Sequence, residues 1–261
     1  MFSNEERCIY GKNQLVEVIC QLRFPEILKI QAQEPYEFQD AIRNVYPQYR
    51  KMVEQAPPQM VNGKPVTPDP VHNHQFLSED ARWKISLTKG FIALSTHAYT
   101  RWEDFAKRLD VVLAAFIQAY APAYFSRVGL RYINAFSRKA LELEEVGWKE
   151  LIEAGYLGLM GDEDAPERAF AKCEQNITAA LPGGAKTAIK CGPGVLRKVN
   201  NQTRQTTEEP VFMLDLDVFM EGKTPVNQSV PALNVVHGNA DSLFRGAITD
   251  TLHDAMEPQD A

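Results

Sequence analysis

The stretch Tyr124 to Phe136, YFSRVGLRYINAF, constrains the fold of this 261-residue chain more than any other. Read at a period of two, Tyr124, Val128, Leu130, Tyr132 and Phe136 fall on one face. Arg127, Gly129, Arg131 and Ile133 fall on the other. That alternation specifies a long strand with an apolar core side and a partly charged outer side. A shorter version lies in LVEVICQLRF, Leu15 to Phe24. There Val16, Val18, Cys20, Leu22 and Phe24 share a face, and Glu17, Gln21 and Arg23 point the other way. Both stretches contain Leu-Arg-aromatic, as Leu22-Arg23-Phe24 and Leu130-Arg131-Tyr132. The repetition predicts two similar halves, 1–123 and 124–261.

The intervening segments fit that division. Phe38, Ile42, Val45 and Tyr49 recur at helical spacing behind Pro35, and Pro47 should end that helix near Tyr46. Residues 57–70 hold five prolines and read as a stiff exposed loop, either a plain connection or a docking segment. Strands are expected at His74–Leu77, Trp83–Leu87 and Phe91–His97. Thr100-Arg101-Trp102-Glu103 has the form of a capping box, ahead of a wide apolar stripe from Trp102 to Tyr120. In the second half a short helix is expected near Trp148, with strands at Ala169–Ala179 and Ala185–Cys191. Turns are expected at Pro182-Gly183-Gly184 and Gly192-Pro193-Gly194. In PVFMLDLDVF, Phe212, Leu214, Leu216 and Val218 face the core, and Asp215 and Asp217 face away. KVNNQTRQTTEEP before it reads as a polar, mobile loop. Asn239 or Asp241 can cap a last helix that Pro258 stops. The expected class is α+β: duplicated β-α-β-β-β-α units forming a curved, saddle-like antiparallel sheet with helices on one face.

Composition narrows the function. No run approaches the roughly 18 apolar residues of a spanning helix, and the charged start MFSNEERCIYGK lacks a signal-peptide core. The expected location is therefore cytoplasmic, with no membrane contact. Cys8, Cys20, Cys173 and Cys191 have no C-x-x-C spacing, which suits reduced thiols better than a zinc site. The net charge of −6 lies wholly in the second half, where residues 124–261 carry 14 basic and 20 acidic side chains against 14 and 14 in 1–123. Much of the excess is in Glu142–Glu167, a solvated face or a dock for a basic partner. That surface opposes wholesale binding of a phosphate backbone but leaves room for a local basic patch.

Arg127 and Arg131 are the leading candidate site. Gly129 between them permits close approach of a ligand, and two guanidiniums can grip a phosphate or carboxylate. The competing reading pairs them with Asp215, Asp217 or Glu17 in a structural network. Arg23 and His97 belong to the same expected surface. Asp215 and Asp217, with Glu17 as a third acid, form the alternative metal set for phosphodiester chemistry. His72-Asn73-His74 puts two histidines on one strand face, with nothing nearby to complete a metal site. Pro182–Thr187 lacks the leading glycine of a phosphate loop, so a hairpin turn is the better reading. No cofactor is implied.

EVICQLRF, FIALSTHAYTRWEDF, SRVGLRYIN and VFMLDLDVF together resemble a sporadically distributed family of uncharacterised bacterial proteins of about this length. The resemblance spans Val16 to Met256 and carries no catalytic residues across. It implies a role beside mobile or defence-related loci. The element order alone is also similar to the saddle of TATA-box-binding proteins, which does not license DNA binding. The function expected is a non-catalytic binding or regulatory module with a protein or nucleic-acid partner. The alternatives are a metal-dependent phosphoesterase or nuclease, and a small-anion or nucleotide sensor.

Overall fold

The computed structural model describes residues 7–55, 57–61, 63–170, 172–199 and 205–260. Strands β1 (Cys8–Tyr10) and β2 (Leu15–Arg23) precede two short helices, α1 (Leu28–Ala32) and α2 (Tyr36–Ile42). Strand β3 (Gln48–Glu54) and a hairpin of β4 (Gln59–Val61) and β5 (Lys64–Val66) follow. Next come β6 (Val71–Leu77), β7 (Trp83–Leu87), β8 (Phe91–Thr96) and the long helix α3 (Trp102–Tyr120). The rest is β9 (Phe125–Phe136), α4 (Trp148–Leu151), α5 (Ala154–Leu157), β10 (Gln175–Ala180), β11 (Lys186–Val199) and β12 (Thr206–Thr224). Helices α6 (Ser229–Arg245) and α7 (Asp250–Ala255) and strand β13 (Pro258–Asp260) close the chain.

The class is α+β. Nine strands form an antiparallel sheet in the order β10-β11-β12-β9-β2-β8-β7-β6-β3. Among the described residues, no helix is long and apolar enough to cross a membrane. The chain divides into two compact units. The Arg131 unit comprises Met1–Val18, Gly129–Met220 and Pro231–Ala261. The His74 unit comprises Ile19–Val128 and Glu221–Val230. Relative to a cut at residue 123, residues 1–18 group with the later part, and 124–128 and 221–230 with the earlier.

Alternation sets which strand face is buried. Val18, Cys20 and Leu22 of β2, Val128, Leu130, Tyr132 and Phe136 of β9, and Phe212, Leu214, Leu216 and Val218 of β12 are all buried. Helices cover that side. In the His74 unit Phe38 of α2 meets Phe76 edge-on at 5.3 Å, and Phe116 of α3 lies 4.8 Å from Phe24. In the Arg131 unit Trp148 of α4 lies 5.5 Å from Phe212, and Phe244 of α6 lies 6.1 Å from Phe136. Each buried ring contributes about 1.5–3 kcal/mol by leaving water.

Several boundaries differ from expectation. The helix behind Pro35 stops at Ile42; Val45 is exposed and Tyr49 belongs to β3. Strand β3 was not expected, because QYRKMVE is too charged to read as a half-buried strand. It ends the sheet order, and edge strands carry such charge as protection against stray pairing. The proline-rich stretch contains the β4–β5 hairpin rather than an unstructured loop. The first half therefore holds more elements than β-α-β-β-β-α. At the start of β9 the buried aromatic is Phe125; Tyr124 lies outside the strand, with the Lys223 ammonium 5.2 Å from its ring centre.

The capping box before α3 does not form. Arg101 occupies the cap position without a side-chain cap bond, and Thr100 Oγ1 donates to Asp104 Oδ2 at 3.1 Å instead. Strand β10 starts at Gln175, after a 3-10 turn at Glu167–Ala169. Strand β11 continues through Gly192-Pro193-Gly194, which pair with Met213, Phe212 and Val211. Its pairing with β10 ends at Cys191, so at Pro193 the strand has a partner on the β12 side only, the edge setting in which proline is tolerated. Gly192 has a φ of 149°, and a Cβ there would lie 2.2 Å from the Cys173 carbonyl oxygen. Only glycine fits that approach. The last helical stretch begins at Ser229, so His237, Asn239 and Asp241 lie inside α6 and cap nothing. Its stripe of Ala232, Leu233, Val236, Ala240 and Leu243 is buried. The helix breaks before Thr249, whose hydroxyl caps α7 by accepting from Leu252 N at 3.4 Å. Of the polar loop expected at 198–210, Lys198 and Val199 end β11 and Thr206 to Pro210 begin β12, with Lys198 paired to Thr207 and Val199 to Thr206, and residues 200–204 lie outside the described residues.

Candidate functional site

Arg131 projects from the face of β9 opposite the buried Leu130 and Tyr132, and Asp215 from the neighbouring strand β12. Arg131 Nε donates to Asp215 Oδ1 at 2.7 Å, and Nη2 to Oδ2 at 2.6 Å. This two-pronged match of guanidinium and carboxylate is the strongest geometry such a pair can take. The Asp215 side chain is 15% exposed and that of Arg131 42%. The Asp215 hydrogen bonds raise the Arg131 pKa, with smaller contributions from Asp217 and Glu17. In the β11–β12 register Lys190 lies across from Asp215 and Ala188 from Asp217. Residues directly opposite share a face, so Lys190 joins Asp215 and Arg131 there, and the Glu17 charge also acts on Arg131.

Arg131 and Asp215 thus form the ion pair that was the competing reading of the arginines. Among the described residues no group of three or more His, Cys, Asp or Glu side chains is placed to hold a metal ion, Asp215, Asp217 and Glu17 included. Both Asp215 oxygens are occupied by Arg131.

Arg127, Arg23 and His97 lie in the His74 unit. Arg127 is half-buried; burial pushes the Cys20 thiol pKa up, and the Arg127 charge offsets part of that rise. Arg23 is exposed, and its Nε donates to Gln21 Oε1 at 2.9 Å. His97 is exposed just past β8 and donates its backbone N–H to Arg82 O at 3.1 Å. Pro182–Gly184 is a 3-10 turn joining β10 to β11, closed by Leu181 N to Ala185 O at 2.8 Å.

The His72-Asn73-His74 stretch behaves differently from a metal motif. His74 is buried on the helix side of β6. Its Nε2 lies 3.1 Å from the Ile30 carbonyl of α1, and its Nδ1 2.9 Å from the Tyr49 hydroxyl of β3. Tyr49 also donates to Glu34 Oε2, and Lys51 Nζ holds Glu34 Oε1 at 2.7 Å. Lys51 and then Tyr49 hold the Glu34 carboxyl below its ordinary value. Burial lowers the His74 pKa. A neutral His74 donates from Nε2 to Ile30 and accepts at Nδ1, so the one Tyr49 proton faces two acceptors. Protonating His74 would relieve that competition, and burial opposes it. Sequence reading missed this network because its members come from three separate segments with no fixed spacing.

Asn73, between the two histidines, points to the opposite side of β6. It is 5% exposed, and its Nδ2 donates to Glu54 Oε1 at 2.6 Å. No protein-family model matches the chain, and no curated protein sequence matches it.

Proposed function

We propose that this protein is a non-catalytic binding module whose helix-free sheet face engages a protein partner. The observation behind this reading is the Arg131–Asp215 pair. A guanidinium clamped by a carboxylate loses its side-chain freedom before any partner arrives, which lowers the entropic cost of recognition. The charge alternation around it favours a partner with complementary charges, which adds specificity more than affinity. The neighbour order supports the duplicated-unit part of the reading. Leaving aside β1 and β13, which pair with each other, and β3, strands β2-β8-β7-β6 and β9-β12-β11-β10 each run outward from the first strand of a half to its last and then back in chain order.

The test is quantitative affinity capture with the full chain and its Arg131→Ala, Arg127→Ala and Arg23→Ala variants. Arg131→Ala should keep the wild-type circular dichroism and lose at least about tenfold in recovery of a specific partner, as removal of a bond to a charged group does. Equal recovery by the folded variant would remove the Arg131 face from the proposal.

A further inference from the structure

Strand β10 stands at one end of the sheet order, with β11 on its inner side. Leu181 N donates to Ala185 O at 2.8 Å, which fixes the phase of the β10–β11 ladder. Bonded and non-bonded pairs alternate along antiparallel strands, so Ala179, Ile177 and Gln175 turn their N–H and C=O groups to β11. Asn176, Thr178 and Ala180 turn theirs outward. All three are exposed, and among the described residues no strand pairs with that side.

An open edge normally carries a device against stray pairing. Strand β3, at the other end of the order, has Arg50, Lys51 and Glu54. Strand β10, QNITAA, has no charge and no proline, and its pairing with β11 runs without a bulge. Its core side is left partly wet as well. Ile177 and Ala179 lie across from the buried Ile189 and Thr187, yet are themselves only half-buried. Such an edge takes up a further strand.

The residues of β10 select which strand. Backbone bonds are blind to sequence, and Asn176, Thr178 and Ala180 carry no charge that would choose a foreign one. Strand β3 of a second copy would set Arg50, Lys51 and Glu54 against residues without counter-charge. Strand β10 reversed about Thr178 matches itself. Asn176 then faces Ala180, and Thr178 faces its own counterpart, so every outward N–H and C=O finds a partner. On the core side Ile177 faces Ala179, a large residue against a small one, and each is covered from water. Thr–Thr and apolar pairs directly opposite are favourable, and no like charges meet. A two-fold axis imposes this reversal, and two-fold dimers are the commonest closed assembly.

We infer that β10 is a dimerisation edge, pairing antiparallel with β10 of a second copy of this chain in the register that sets Thr178 across from Thr178. The inference rests on β10 alone and is independent of the Arg131 face.

Sedimentation equilibrium of the full chain between about 1 µM and about 1 mM tests it, a range that covers weak strand-edge association. A monomer–dimer equilibrium is expected, closed at twice the 29.4 kDa chain mass. Thr178→Pro removes an outward N–H and no bond to β11, and Thr178→Lys puts like charges across the axis. Each should keep the wild-type circular dichroism and raise the dissociation constant at least about tenfold. Val53→Lys, at an exposed position on β3, should leave dimerisation unchanged. A wild type that stays monomeric throughout leaves the edge to a strand of another protein and overturns the proposal. Growth beyond a dimer, wild-type dimerisation by either folded Thr178 variant, or an equal loss in Val53→Lys would overturn it too.

Discussion

The Arg131 cluster and the His74 network spend polar groups in opposite ways. Arg131 and Asp215 meet side chain to side chain on an open sheet face, each carried by a strand whose alternation is plain in the sequence. His74 is enclosed, and its partners are a helix carbonyl, an edge-strand tyrosine and a carboxylate between two helices. The comparison teaches that visibility in the sequence and structural weight run in opposite directions. The pair that is easy to anticipate is partly exposed, with the Arg131 side chain 42% accessible. The network that is hard to anticipate holds α1, β3 and β6 together from inside.

The sharpest way to break that contrast is to delete one member of each. His74→Ala leaves the Ile30 carbonyl and the Tyr49 hydroxyl short of a partner and opens a cavity. A loss of about 2–4 kcal/mol is expected in urea denaturation. A loss below about 1 kcal/mol would erase the distinction between the two regions.

Acid should produce the next largest effect. Burial depresses His74 in the folded state below its ordinary value of 6.5, so the unfolded chain binds the proton more readily. The stability this group contributes is complete above pH 6.5 and drains away as pH falls from there toward the lower folded value. Glu34 is also depressed, below 4.5, by Lys51 and Tyr49, and its contribution drains only at more acid pH. Stability measured at neutral pH and at about pH 5.5 should therefore differ in the wild type and agree in His74→Gln. A wild type more stable at about pH 5.5 than at neutral pH would show that His74 is already protonated in the fold, as the Tyr49 competition favours, and equal stability would show that folding leaves its proton affinity unchanged.

Arg131→Ala should have the smallest effect on stability. Exposed ion pairs contribute about 0–1 kcal/mol, and this one lies toward the upper end because it is two-pronged. A loss above about 2 kcal/mol would make Arg131 a structural residue first and weaken its role in recognition.

Much of the architecture followed from period alone. The burial of Leu22, Leu130, Tyr132, Leu214 and Leu216 and the outward aim of Arg131 and Asp215 required only that strands alternate. The α3 stripe from Phe105 to Phe116 required only a period of 3.6. The misses share a cause. Strand β3 is recruited by β6 along its whole length, from Gln48 across Leu77 to Glu54 across Val71, despite a charged sequence. Helix α6 runs through Gly238-Asn239 because Val236, Ala240 and Leu243 are buried together, which outweighs the local turn preference. Gly192-Pro193-Gly194 stays extended because β12 supplies a partner strand.

What the chain decides by itself is which side of each strand is oily and which is wet, since that is a property of consecutive residues. What only the tertiary structure decides is which wet groups meet. Asp215 finds Arg131 across 84 residues, and His74 finds Ile30 across 44. Hydrogen bonds act over about 3 Å and carry no trace in spacing, so burial and register had to place Asn73, Glu54 and Tyr49 before their chemistry could be read.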